Sequence, residues 1–201
     1  MFSAIFLRIR YSVAEKISRA SIISHISALI VTGRNKEKKK LSEKIEALNK
    51  DNELVKIALT CPGVGSLTAS AIVAEVGDAS QFRNGREMAA WNGVVPSQHS
   101  TGGRSTLGGI TKTGNRYLRT LLAQCACAVI QNASRHLEQG KDTHLDRFAL
   151  RLKLNGKPVK KIMIAIANKI IRILWAMLTQ RKTFENKAEE TSDISAELQL
   201  A

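Results

Sequence analysis

Between Pro96 and Arg119 the chain reads PSQHSTGGRSTLGGITKTGNRYLR, hydroxyls and cations set among glycines without one acidic residue. A hydroxyl that attacks a phosphodiester must be exposed and must meet the phosphorus in line. It also needs cations or N–H groups to take up charge on the phosphoryl oxygens. Ser100 and Thr101 stand directly before Gly102 and Gly103, where a backbone without Cβ lets a phosphate approach. Arg104, Lys112, Asn115 and Arg116 supply donors, and arginine offers the fork that fits phosphate oxygens. Arg119 adds a cation one turn further on, and His99 is adjacent and could relay a proton. The same residues would serve equally as a passive phosphate cradle, so the chemistry leaves both readings open.

A second candidate lies upstream in CPGVGSLTASAIVAEVG, residues 61–77. Pro62 ends one helical pattern, and Leu67, Ala71, Ile72 and Val76 line one face of another that closes at Gly77. The spacing predicts a helix-hairpin-helix whose turn glycines, Gly63 and Gly65, leave amide groups at a helix start for a backbone phosphate. The competing reading is a tight turn that needs glycine only for its geometry.

The elements that must position these loops read as mainly helical. Hydrophobic residues make up 44% of the 201, but aromatics only 4%, a core composition that suits helices better than a sandwich or barrel. From 37 to 60, Leu41, Ile45, Leu48, Asn52, Val55 and Leu59 recur in steps of four and three, a heptad seam with a polar register residue at Asn52. The alternative there is a helix packing on its own domain. A short helix carries Met88, Ala89 and Trp91, and the glycine-rich stretch follows as an irregular loop or weak hairpin. A long helix with Leu118, Leu121, Leu122, Cys125, Val129 and Ile130 on its apolar face comes next. The last helix opens at Pro158 and carries a broad apolar stripe edged by Lys157, Lys160, Lys161, Lys169 and Arg172.

Thirty-one Lys and Arg against 17 Asp and Glu give a formal charge of +14, which points to a polyanionic partner, nucleic acid before a membrane surface. The apolar run at 162–178 is interrupted by Lys169 and Arg172, so it reads as a buried helix and not a span. Cys61, Cys125 and Cys127 have no spacing of a disulfide framework, and reduced thiols in a cytoplasmic protein are expected. Residues 1–36 carry a single acid, Glu15, and receive no role; 183–201 turn acidic and read as a disordered tail.

The segments PGVG, AAWNGVVP, STGG, ITKTGN and LR, in this order, resemble the C-terminal domain of insertion-sequence transposases that include the Piv-type DNA invertases. The resemblance runs from Leu59 to Gln131 and resumes at ANKIIRILWAML. It implies DNA transposition, with DNA as partner and a serine joined covalently to it, on Ser100 or, one residue on, Thr101. It also implies a RuvC-like nuclease domain whose four acidic ligands hold magnesium, a coiled-coil spacer and, in some members, a structured guide RNA; the seam around Asn52 points to a homo-oligomer. Nothing in residues 1–36 resembles that acidic nuclease domain. The expected organisation is therefore an unassigned leader (1–36), a spacer helix (37–60), the transposase domain (61–182) and a tail (183–201). Such a chain would be a truncated copy that carries no cofactor of its own and is inactive alone. The alternative is a non-catalytic DNA- or RNA-binding fragment that pairs with, or inhibits, full-length transposase.

Overall fold

The computed structural model describes residue 37, residues 39–101 and residues 104–186. The leader (1–36), the tail from 187 onward and the pair Gly102–Gly103 lie outside the described residues, so the expectations attached to them are not addressed. The chain divides into two units, Met1–Ala47 and Leu48–Ala201. In the first, 39–47 are helical, the start of a helix α1 that ends at 49, and Leu41 is exposed.

The seam expected from Leu41 to Leu59 does not run through one helix. Asn52 adopts extended backbone (φ −87°, ψ 108°), and its side-chain oxygen accepts from the Val55 amide at 3.2 Å, which makes it the N-cap of α2 (Glu53–Leu59). Asparagine is favoured at that position because its short acceptor satisfies a first-turn N–H that no helical carbonyl can reach. Val55 is 1% exposed and belongs to the domain core. The spacer helix expected over 37–60 is thus two helices, and the second is part of the packed body.

The body continues with α3 (Ser66–Val76), α4 (Gly85–Trp91), strands β1 (Pro96–Thr101) and β2 (Arg104–Ile110), then α5 (Arg116–Glu138), α6 (His144–Leu154) and α7 (Val159–Gln180). The architecture is mainly α, as composition predicted, with one two-stranded antiparallel sheet where a loop or weak hairpin was expected. α7 is the axis of the core and packs against α2, α4, α5 and α6. Ile162, Ile166, Ile170, Ile171, Leu174 and Leu178 are essentially removed from solvent, and each such side chain contributes about 1.5–3 kcal/mol of burial. This helix is long and apolar enough to cross a membrane, but here its apolar face fills the core.

Polar details set where each element starts. Asn84 caps α4 by accepting from the amides of Arg86 and Glu87, and Glu87 answers by accepting from the Arg83 amide at 2.8 Å. Thr143 and Asp146 form a capping box on α6, and Asp146, 1% exposed, also meets His136 Nδ1 at 3.2 Å. Long-range bonds then fix α4 and its loop on α7. Trp175 Nε1 donates to the Phe82 carbonyl (3.1 Å) and Asn168 to the Val94 carbonyl (3.2 Å).

Burial pushes the Cys61 thiol up to about 12, with Cys125 nearby adding to the rise, and burial also raises Cys125. A raised thiol favours the protonated form in the fold, so its stability contribution is complete below the unfolded thiol's ~8.5 and is lost as pH climbs toward the folded value. The urea midpoint should therefore fall between pH 8 and pH 10.5, and fall less in Cys61→Ala. An equal pH sensitivity in the two proteins would remove this thiol as the cause.

Candidate nucleic-acid interface

The hairpin gathers the hydroxyl-bearing residues at one end. β1 and β2 pair antiparallel, with Gln98 opposite Leu107, His99 opposite Thr106, Ser100 opposite Ser105 and Thr101 opposite Arg104. At the other end the Ser97 hydroxyl donates to the Gly109 carbonyl (3.1 Å) and the Thr111 amide to Val95 (3.0 Å). The register makes Ser100, Thr101 and Arg104 neighbours along one sheet end.

The base of the hairpin is locked onto the turn after α4. Gly93 and Gly114 both take positive φ (71° and 76°), and a methyl on either would run into backbone, Thr113 in the first case and the Trp91 carbonyl in the second. Lys112, between them, holds φ 59°, a conformation that costs a non-glycine residue about 1–2 kcal/mol. The Lys112 amide nonetheless closes onto the Gly93 carbonyl at 3.2 Å.

Two of the expected phosphate donors serve the fold instead. Asn115 caps α5, accepting from the amides of Tyr117 (2.8 Å) and Leu118 (3.4 Å), while its amide donates to Glu75 Oε1 (3.2 Å). Arg119 sends one guanidinium nitrogen to the carbonyls of Asn92 (3.1 Å) and Thr113 (2.8 Å). A cation in the first turn of a helix opposes the helix dipole and needs a compensating partner. For Arg119 the compensation is two backbone carbonyls, so it ties the α4 turn to the hairpin base. Lys112 and Arg116 remain exposed beside that base. Arg119→Ala is expected to cost about 2 kcal/mol of stability, the range for charge-assisted hydrogen bonds, with DNA affinity keeping its salt dependence. Arg116→Ala should spare stability and flatten the log affinity–log salt slope by about 0.9. Denaturant titration and salt-dependent binding read the two apart; the reverse pattern would exchange their roles.

A turn joins α2 to α3, and the two glycines in it differ. Gly63 sits at φ 78°, where a Cβ would lie 2.7 Å from Val129 Cγ2 and 2.8 Å from the Cys125 carbonyl oxygen. It is required by close packing on α5, which is the geometric reading of that turn. Gly65 caps α3 without a side-chain bond and has open space around it.

A concave feature that local sequence pattern does not reveal is a groove of about 1520 Å³ between α7, α6, α4 and β2. Its lining carries Arg86, Lys160, Lys161, Lys169, Arg172 and Lys182 against one carboxylate, Glu185. None of the donors expected from sequence lines it. The α7 cations were legible only as a basic edge, although 161, 168–169 and 172 fall on one stripe at a period of 3.6. Arg86 carried no signal, since only the tertiary packing of α4 on α7 brings it to the groove. Among the described residues no group of three or more His, Cys, Asp or Glu is arranged to hold a metal ion.

Fold and site together define a small, basic, mainly helical domain with a hydroxyl-bearing hairpin beside a cationic groove. Residues 55–140 match the model of the Transposase IS116/IS110/IS902 family. The chain is 41% identical over 145 residues to a probable family 20 transposase of Pseudomonas aeruginosa, covering 72% of this chain and 41% of that protein. It is 38% identical over 142 residues to the transposase for insertion sequence element IS1111A of Coxiella burnetii, covering 71% and 37%. A pilin gene-inverting protein of Moraxella bovis is 27% identical over 143 residues, covering 69% and 41%. The chain thus spans about two fifths of the length of the curated relatives it matches.

Proposed function

We propose that this domain is the strand-joining part of an insertion-element transposase, acting on DNA through a hairpin hydroxyl, Ser100 or its neighbour Thr101. The support is the register of the hairpin, which makes these two residues and Arg104 neighbours at one end of a sheet whose base is locked to the helical core. In the proposed step the hydroxyl Oγ attacks phosphorus and loses its proton to solvent or a nearby base. The Oγ–P bond forms as one phosphorus–oxygen ester bond of the DNA breaks, and the departing oxygen keeps the electron pair and takes a proton. One ester replaces another, so the joined strand can later be passed to a new hydroxyl without an outside energy source. Arginine beside the reacting phosphate would offset charge on the phosphoryl oxygens.

The magnesium that the resemblance implies belongs to carboxylate ligands, and the described residues offer no such set; no step here runs through a metal. Exposed Leu41 and Leu48, seven residues apart, support self-association through α1. The test is to incubate the chain with end-labelled element-end DNA, with and without magnesium, and run a denaturing gel. A slow band that collapses on protease treatment supports the joining reading. A salt-sensitive shift on a native gel with no such band would reduce the domain to phosphate binding.

A further inference from the structure

We propose that the α7 groove is a track for single-stranded nucleic acid; this rests on the nucleic-acid reading above and narrows it. α7 is apolar on two sides. Its inner face fills the core, while Ile164, Ala165, Ile173 and Ala176 line the groove. A surface helix ordinarily turns polar residues outward, and an apolar surface rimmed by polar groups marks a binding site. Phe148, Trp175 and Phe184, all half-buried, extend this floor, and Leu107 of β2 adds an exposed wall at 65%. The aromatic groups are held in place. Trp175 is bonded to the Phe82 carbonyl, Phe184 stacks on His144 (5.5 Å between centroids, 17° between planes), and the Lys169 amino group lies 4.5 Å over the Phe148 ring.

The occupant must therefore offer flat apolar faces to the floor and repeated negative charge to the cations. The volume exceeds the ~300–1,000 Å³ that a small-molecule pocket needs. Duplex DNA meets only half of the requirement, since its bases are stacked inside and its outer surface is sugar and phosphate. A single strand presents both, its phosphates to Lys161 and Arg172 and its base faces to the aromatics, as in single-strand grooves generally.

The experiment uses the full chain and fluorescence anisotropy with a fluorescein-labelled oligothymidine of about twenty nucleotides, longer than the 4–16 nucleotides of a typical single-strand site. A duplex of the same length is compared. The single strand should bind at least about tenfold tighter, and Leu107→Asp, at an exposed position, should weaken it about fivefold, within the range for one lost base contact. The pair Lys161→Glu and Arg172→Glu should weaken it further and lower the salt slope by at least about 1.4, two phosphates' worth for a single strand. Equal duplex affinity with a harmless Leu107→Asp overturns the single-strand inference and leaves the transposase reading standing. Binding indifferent to all groove variants moves the nucleic acid elsewhere. A dimer in sedimentation that Leu107→Asp dissolves gives the floor to a second copy, and absence of any nucleic-acid binding sinks both proposals.

Discussion

Gly114→Ala should lower the unfolding free energy by about 3–5 kcal/mol, a large share of the 5–15 kcal/mol that holds a domain of this size. Two costs add. Gly114 has φ 76°, where a Cβ meets the following carbonyl, and that strain alone is about 1–2 kcal/mol. The new methyl would also run into the Trp91 carbonyl oxygen and crowd the Asn92 Cα. That backbone cannot retreat, because the Asn92 carbonyl is held by Arg119 and Asn92 itself is fully buried. Gly140→Ala separates the two costs: its φ is 64°, yet nothing lies within 4 Å of the added carbon, so only the strain of about 1 kcal/mol should appear. Urea denaturation followed by circular dichroism measures both. A Gly114→Ala loss no larger than that of Gly140→Ala would show that the hairpin base yields and is no lock.

The second large effect concerns chemistry. Ser100→Ala should abolish any covalent DNA adduct, a loss of at least about a thousandfold in joining rate, since no other group replaces a missing nucleophile. Binding should remain within about twofold, because the removed hydroxyl is not a charge and phosphate contacts dominate affinity. Thr101→Ala is the matched control one residue along β1. An adduct that survives Ser100→Ala and disappears in Thr101→Ala moves the nucleophile by one position. An adduct that survives both takes it out of the hairpin. Arg104→Ala should slow joining by about 10²- to 10³-fold, the scale of a removed transition-state donor, and a variant that joins at full rate would deny it that part.

The sequence by itself determined the helical class, the long helices α5 and α7 and the hydroxyl–glycine–cation stretch, because these depend on local pattern. It left α6 (His144–Leu154) unread, as a polar break, since Thr143 and Asp146 look like loop residues until they close a capping box. The 3.6-residue apolar period marked α5 and α7, Pro158 marked the start of the last helix, and the family resemblance rested on contiguous segments. Residues 55–140 bear that resemblance out. Tertiary structure decided what each polar residue was for. Asn52 looked like a register residue on a seam and is a helix cap, because the local gain of bonding the Val55 amide comes with burying Val55 in the core. Arg119 and Arg116 are indistinguishable in sequence, three residues apart in one helix. Only the approach of the Asn92 and Thr113 carbonyls makes one a tie and leaves the other exposed. Arg86, Leu107 and Arg172 share a groove although they lie far apart in the chain. No pattern along one strand of sequence can encode that, since a groove forms from the faces that packing leaves uncovered.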